Sequence, residues 1–450
     1  MFNAWLFWPR NWCGVRGSEA EARTGIHGFP FSKLREKMSD YYRYLERSIR
    51  TLKSFTPMES LPEKPDPLIR PVMPELDSVR GLAIIGVLLL HAFYSSYGSF
   101  HFSGLPRLFL LATQPGWVGV NLFFVLSGFL ITGILLDSKE KPQYFRRFYT
   151  RRALRILPAY YLLLILLAVL HQASAGFLGL SFIYLANVTS LFGVAADYGP
   201  LWSLAVEEHY YILWPAVIYK LTRRHLAIIT VALCVLIPIL RAVFFRLGYT
   251  AGLGWYTWFV ADGLATGSLL AILLRTSVSR KTVAVVCGTL LAGGFVLVGV
   301  GRPFGILTRE RVLGAALQET VIDLVFAGLL LFVLLLGTSA HRLYVNNSVL
   351  RFLGYISYGL YLIHLLVFRT YDKLCRNFWP WMQPTSGHFG LVVLRFFLAG
   401  GAAVGIAYLS RKYFEERFLR LKDRFAGANH AERLPASRVE KEASPQEASA

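Results

Sequence analysis

The chain has 450 residues and is 55% hydrophobic, 15% aromatic and only 16% charged, with a formal net charge of +20. An average soluble domain carries about 25% charged residues, and long apolar runs recur along most of this chain, so an ordinary soluble protein is excluded. The basic excess gathers at the ends and between apolar runs, where orientation in an anionic bilayer accounts for it and nucleic-acid binding does not.

The four cysteines, Cys13, Cys234, Cys287 and Cys375, show no CxxC or metal spacing. Neither a disulfide framework, a zinc site nor any other bound metal is expected. The opening MFNAWLFWPRNW has too short an apolar stretch for a signal peptide.

Residues 1–74 are polar, basic and rich in proline. They read as a cytoplasmic N-terminal extension, with a helix around 32–53 followed by an extended linker. Residues 75–420 form the transmembrane domain. Residues 421–450 are small and polar and read as a disordered cytoplasmic tail.

A spanning helix needs about 20 apolar residues. Candidates lie at 80–98, 117–136, 155–171, 201–219, 225–242, 255–274, 282–300, 318–337, 349–368 and 389–409. The expected fold is therefore all-α, a polytopic transmembrane bundle of about ten spans. A further apolar run, 176–193, makes eleven if it crosses. The basic residues at 411–424 follow the last span closely, and the positive-inside rule wants them in the cytoplasm. This favours ten spans, both termini cytoplasmic in the inner (plasma) membrane, and 176–193 re-entrant or on the outer surface.

Ionisable groups inside spans are candidates for function, because each costs about 2.5–3.5 kcal/mol at a helix centre. The first span, ELDSVRGLAIIGVLLLHAFY, holds Asp77, Arg80 and His91. On an ideal helix Arg80 and His91 differ by about 20° in azimuth and about 16 Å along the axis. Histidine accepts a proton near neutral pH, as a general base must, although a snorkelling arginine and a packing histidine explain the same spacing. The next loop carries Arg146, Arg147, Arg151, Arg152 and Arg155. Arg152 and Arg155 share a helix face, and the arginine fork suits phosphate; a positive-inside cluster is the bland alternative.

The fourth span opens GPLWSLAVEEHYYILWP, with Ser203, Glu207 and Tyr210 on one face. Its carboxylates need arginine, histidine or water as partners, and a structural ion pair would serve. Asp262 stands in a later apolar run, and Ser357, Tyr361 and His364 share a face of another. Interhelical hydrogen bonding and function are both open for these. No GxSxG, Walker loop or HExxH is present.

Five segments in this order resemble the bacterial acyltransferase-3 family, the membrane O-acyltransferases that include O-antigen and peptidoglycan O-acetylases. They are ELDSVRGLAIIGVLLLH, GVNLFFVLSGFLITGILL, FYTRRALRILPAYY, PLWSLAVEEHYYILWP and ISYGLYLIHL. The resemblance covers roughly Leu76 to Phe418. It implies a catalytic His91 supported by Arg80, Arg151, Arg152 and Arg155 holding the donor acyl-CoA (acetyl-CoA), and Glu207 in the place of the family's glutamate. Asp77, Ser203, Asp262, Ser357, Tyr361 and His364 are candidates for substrate contact or support. His209 stands where many members carry glutamine, a departure expected to alter the acceptor pocket.

The expected activity is transfer of an acyl, chiefly acetyl, group to a hydroxyl of a cell-envelope carbohydrate, glycolipid or lipid-linked glycan, with no resident cofactor. Glu207 is expected to orient His91 or to stabilise its charged form. A transporter or flippase of lipid-linked sugars, or a scaffold without turnover, would also bury charges in ten spans. Neither needs phosphate-binding arginines beside an intramembrane histidine. Acceptor identity and oligomeric state are not legible in the sequence.

Overall fold

A computed structural model describes residues 68–70, 72–337, 347–385 and 388–425, the last four as backbone. Cys13, the helix expected at 32–53 and most of the tail lie outside these residues. Every regular element among them is helical. The elements are α1 (Pro74–Tyr97), α2 (Gly104–Thr113), α3 (Val118–Ser138), α4 (Tyr144–Val169), α5 (Ala175–Phe182), α6 (Leu201–Lys220), α7 (Arg223–Arg246), α8 (Asp262–Leu273), α9 (Arg280–Gly301), α10 (Val312–Leu336), α11 (Ser348–Phe378) and α12 (Phe389–Leu421).

Local chemistry sets several starts. Pro74 opens α1, where its missing N–H costs nothing, and Glu75 and Asp77 complement the dipole in the first turn. Ser174, Thr222, Ser279 and Asn347 each cap a helix by accepting a backbone N–H three residues on. Ser174 also ties down the connection after α5, since its backbone N–H donates to Asp197 at 2.7 Å. Hydrogen bonds from the Ser174 side chain and backbone hold the Asp197 carboxyl below its ordinary range.

Eight helical segments are long and apolar enough to cross a membrane, with α2 and α3 running as one. They account for eight of the ten expected spans. The other two differ. The stretch 201–219 does form α6, at 20 residues, but Glu207, Glu208 and His209 make it more polar than the rest. The stretch 255–274 is not one helix: a single turn, Thr257–Val260, precedes the 12-residue α8. Ten residues of α8 are buried, Asp262 among them. A helix sheathed by protein is under no obligation to match the bilayer thickness. The run 176–193 forms an eight-residue helix and a four-residue 3₁₀ turn, and eight residues reach only about 12 Å.

The arrangement inverts that of a soluble protein. Large apolar side chains of α9, such as Val285, Phe295 and Val300, are exposed around the periphery. Buried inside are Arg241, Asp262, Asp323, His364 and Arg395. Several helix pairs approach so closely that glycine is required, and in two of them both helices supply one. A Cβ on Gly267 of α8 would collide with the Val125 carbonyl oxygen of α3, and one on Gly128 of α3 with the Leu264 carbonyl. In the same way, Gly81 of α1 lies against Leu350, and Gly354 of α11 against Asp77. Small residues let backbones meet where no hydrophobic effect drives association.

Gly267→Val should therefore destabilise the bundle by more than the roughly 1–3 kcal/mol of ordinary overpacking. Gly405→Ala is the control, because its Cβ meets nothing within 4 Å. Thermal unfolding in detergent should show a lowered midpoint for the first and not the second; equal midpoints would contradict the α3–α8 crossing.

Candidate active site

The α1–α11 crossing brings together two residues 273 apart in the chain. His91 Nδ1 lies 3.2 Å from His364 Nε2, with ring centroids 5.0 Å apart. His91 sits in a π turn of α1, Leu90–Tyr94, a local widening common at functional positions. Two contacts hold that turn. Ser96 Oγ donates to the His91 carbonyl at 2.7 Å. The buried Arg395 donates to the Ala92 carbonyl at 3.1 Å while its fork is paired with Asp372 at 2.6 and 2.7 Å. His364 is fully buried. Tyr198 fixes its helical turn by donating to the Leu362 carbonyl at 2.7 Å and accepting the Leu366 N–H at 3.0 Å.

Three cavities lie in series along the bundle. The first, of about 550 Å³, is lined by Lys141, Tyr144, Arg147, Arg151, Arg152 and Arg155. The second, of about 110 Å³, shares Arg152 and Arg155 with it and adds Arg80, Ser127, Ser203, Glu207, Tyr211, Ser357 and Tyr361. The third, of about 380 Å³, shares Val120, Phe124 and Tyr361 with the second, and holds His91, Asn121, Gln318, Glu319 and three tryptophans, Trp117, Trp202 and Trp255.

Cationic groups outnumber available anions in the first two cavities. Asp137, at the edge of the first, is already held by the Arg275 fork at 2.7 and 2.6 Å. Asp77 accepts from Arg80 at 2.5 Å. Arg152 lies over the Tyr211 ring at 3.8 Å, and its buried Nε has no hydrogen-bond partner among the described residues. Glu207 accepts from Ser127 Oγ at 2.6 Å. The arginines thus leave donors available to an anionic ligand.

The third cavity is built differently. Asn121 Nδ2 donates to Glu319 at 3.0 Å and to Asp323 at 2.9 Å, and Glu319 also pairs with Arg309. With both amide hydrogens committed to carboxylates, Asn121 Oδ1 is left as an acceptor. The tryptophans provide flat apolar walls beside these polar groups.

Most of the residues singled out in the sequence converge on this series. Arg80, Arg151, Arg152, Arg155, Ser203, Glu207, Ser357, Tyr361 and His91 line it, and His364 backs His91. Ser203 and Tyr361 are joined through their hydroxyls at 2.6 Å. Three expectations are altered. Glu207 lines the cavity with Arg80 and the arginines, and among the described residues no hydrogen bond joins it to His91; the side-chain partner of His91 is His364. Asp262 lies off the cavities in a buried fork with Arg241, at 3.2 and 2.8 Å, with Thr320 donating to it at 2.6 Å. His209 bonds Thr257 at 2.7 Å and does not line the third cavity. Sequence reasoning missed Ser127, Asn121, Arg241, Arg309 and Glu319, and the tryptophans. Asn121 had a signal, a lone amide inside GVNLFFVL, and so did Arg241 and Glu319, ionisable residues inside the expected spans 225–242 and 318–337; the others are ordinary residues until the helices pack.

Comparison with known proteins gives the same reading. An acyltransferase domain, that of the acyltransferase-3 family, matches residues 73–412. The peptidoglycan O-acetyltransferase OatA of Listeria monocytogenes is 28% identical over 338 residues, covering 66% of this chain and 49% of that protein. The putative peptidoglycan O-acetyltransferase YrhL of Bacillus subtilis is 32% identical over 163 residues, 32% of this chain and 23% of the relative. A putative O-acetyltransferase of Staphylococcus aureus is 30% identical over 168 residues, 33% of this chain and 25% of the relative. The chain thus spans about half or less of these relatives' lengths, and no solved structure matches it. The order of its motifs, the helical bundle around them and the match over residues 73–412 place this chain in the acyltransferase-3 family of membrane acyltransferases.

Proposed function

We propose that this protein transfers an acetyl group from acetyl-CoA, bound on the cytoplasmic side, to a hydroxyl of a cell-envelope glycan that reaches the His91 cavity. The observation that carries this reading is the series of three cavities linking the arginine cluster to His91 through shared residues. The donor's phosphates lie on Arg151, Arg152 and Arg155, whose forks pair with phosphate oxygens. Its thioester arm passes Ser203 and Tyr361 through the narrow middle cavity. The acceptor lies among Trp117, Trp202 and Trp255, with Asn121 accepting one of its hydroxyl hydrogens.

His91 removes the proton of the reacting hydroxyl, the oxygen attacks the thioester carbonyl, and the departing thiolate takes that proton. Arg80 and Glu207 shape the passage between donor and base. The names of the relatives, peptidoglycan O-acetyltransferases, favour a cell-wall glycan as acceptor. The basic cluster after residue 410 favours cytoplasmic termini in the plasma membrane. A transporter of lipid-linked sugars has no use for an arginine cluster linked through these cavities to a histidine pair.

His91→Ala should lower acetyl transfer by at least about 100-fold, the lower part of the range for a general base, while the purified protein keeps its melting temperature. Thiol release from acetyl-CoA in the presence of soluble peptidoglycan fragments measures this; normal turnover would remove His91 from the mechanism.

Arg155→Gln should act on donor binding. Phosphate contacts form in both ground and transition states, so their loss raises KM and spares kcat. One charge-assisted hydrogen bond contributes about 1.5–3 kcal/mol, which predicts a KM for acetyl-CoA raised roughly 10- to 150-fold. Arg155→Lys should recover part of it, keeping charge without the fork. An acetyl-CoA titration giving the wild-type KM for Arg155→Gln would show that the cluster only orients the protein.

A further inference from the structure

The hydrogen positions of the histidine pair follow from its surroundings. His364 Nδ1 lies 3.1 Å from the Leu360 carbonyl oxygen and 2.9 Å from that of Tyr361. Both oxygens are acceptors only, so Nδ1 carries the hydrogen, and a neutral imidazole then leaves Nε2 bare. That bare nitrogen faces His91 Nδ1 at 3.2 Å. His91 Nδ1 is also 3.0 Å from the Val87 carbonyl oxygen. It too is surrounded by acceptors and must be the N–H. With both rings neutral only one arrangement satisfies every contact, and in it His91 Nε2 keeps its lone pair.

We infer that His364 is a positioning residue that holds His91 in the Nδ1–H tautomer, with Nε2 as the basic atom. This rests on the acyl-transfer reading of His91 given above. The contact to Val87 is a within-helix carbonyl four residues back and does not by itself fix the ring. The second acceptor, presented from α11, gives the imidazole a defined plane, and Tyr198 locks the turn that presents it.

The step is balanced. The acceptor hydroxyl gives its proton to His91 Nε2 as its oxygen bonds to the thioester carbon. Collapse breaks the carbon–sulfur bond, and the Nε2 proton passes to the departing sulfur. Between these events His91 is an imidazolium whose Nδ1–H donates more strongly to His364 Nε2. His364 does this as a neutral acceptor, adding no second charge to a buried site. A further proton on His364 Nε2 would place hydrogens on both facing nitrogens, so the pair holds one transferred proton at a time. This differs from the carboxylate that orients the imidazole of a Ser-His-Asp triad.

The test uses the full chain, purified with ¹⁵N in its histidine rings, with His91→Gln assigning the His91 signals. The wild-type spectrum should show His91 protonated at Nδ1 and bare at Nε2. His364→Gln can present its side-chain oxygen to His91 Nδ1–H; it should preserve that tautomer and keep kcat within about tenfold of wild type. His364→Leu fills the volume without an acceptor; it should scramble the tautomer and lower kcat by about 10- to 100-fold, with the KM for acetyl-CoA near wild type. An Nε2–H signal for His91 in wild type overturns the inference, as does wild-type kcat in His364→Leu, or equal loss of kcat in both His364 variants. If His364→Leu does not fold, the wild-type spectrum and His364→Gln decide. The spectrum reports the tautomer whether or not the enzyme turns over. Wild-type protein that consumes no acetyl-CoA would instead count against the acyl-transfer reading.

Discussion

The site depends on how closely α1 and α11 cross. Gly81 faces the Leu350 backbone and Gly354 the Asp77 backbone, so each helix lacks a side chain where the other needs room. That approach lets two imidazoles meet inside the bundle, at the level where α1 widens into its π turn. A bulkier residue at either glycine would part the helices, and the 3.2 Å contact between His91 and His364 relies on the same helix pair. The Arg395–Asp372 pair and the Tyr198 hydroxyl hold the turns on either side.

The buried charges divide into two kinds. Arg241 with Asp262, and Arg395 with Asp372, are forks with both nitrogens engaged, and the backbone carbonyls of Phe259, Ala316 and Ala92 take further donors. Such pairs repay desolvation only when their geometry is complete, and these hold neighbouring helices in register. Around the first two cavities cations outnumber carboxylates, and among the described residues neither Arg152 nor Arg155 is held in a fork with one. Arginines gathered around an internal passage, one of them with a buried Nε that has no partner among the described residues, can offer donors to an anion. The third cavity reverses the pattern. Its carboxylates are occupied by Arg309 and Asn121, and what it offers is an amide acceptor and aromatic walls. One end of the series is lined with arginines and the other with tryptophans and an amide acceptor.

Several features were legible in the chain. Apolar run lengths announced a helical membrane bundle, because a bilayer demands about 20 such residues at a time. Ionisable residues stranded in those runs marked His91, Glu207 and His364, since nothing but function or pairing justifies their cost. The arginine spacing in FYTRRALRIL placed Arg152 and Arg155 on one face by helical geometry alone. Local rules of this kind depend on neighbours a few residues away, and the sequence contains them.

Partnership was not legible. Asp262 and Glu207 look alike in sequence, each a carboxylate in an apolar run. Packing sends Asp262 into a fork with Arg241 and Glu207 into the passage beside the arginines. His91 was expected to lean on Glu207, yet that carboxylate belongs to the next cavity, and the partner comes from a helix 273 residues further on. The span at 255–274 shortened into α8 because surrounding helices, rather than lipid, satisfy it. The sequence by itself determined which residues are too costly to bury without a reason. Only the tertiary structure decided which of them share a cavity, because that depends on glycine-to-backbone approaches between helices far apart in the chain, and no periodicity records them.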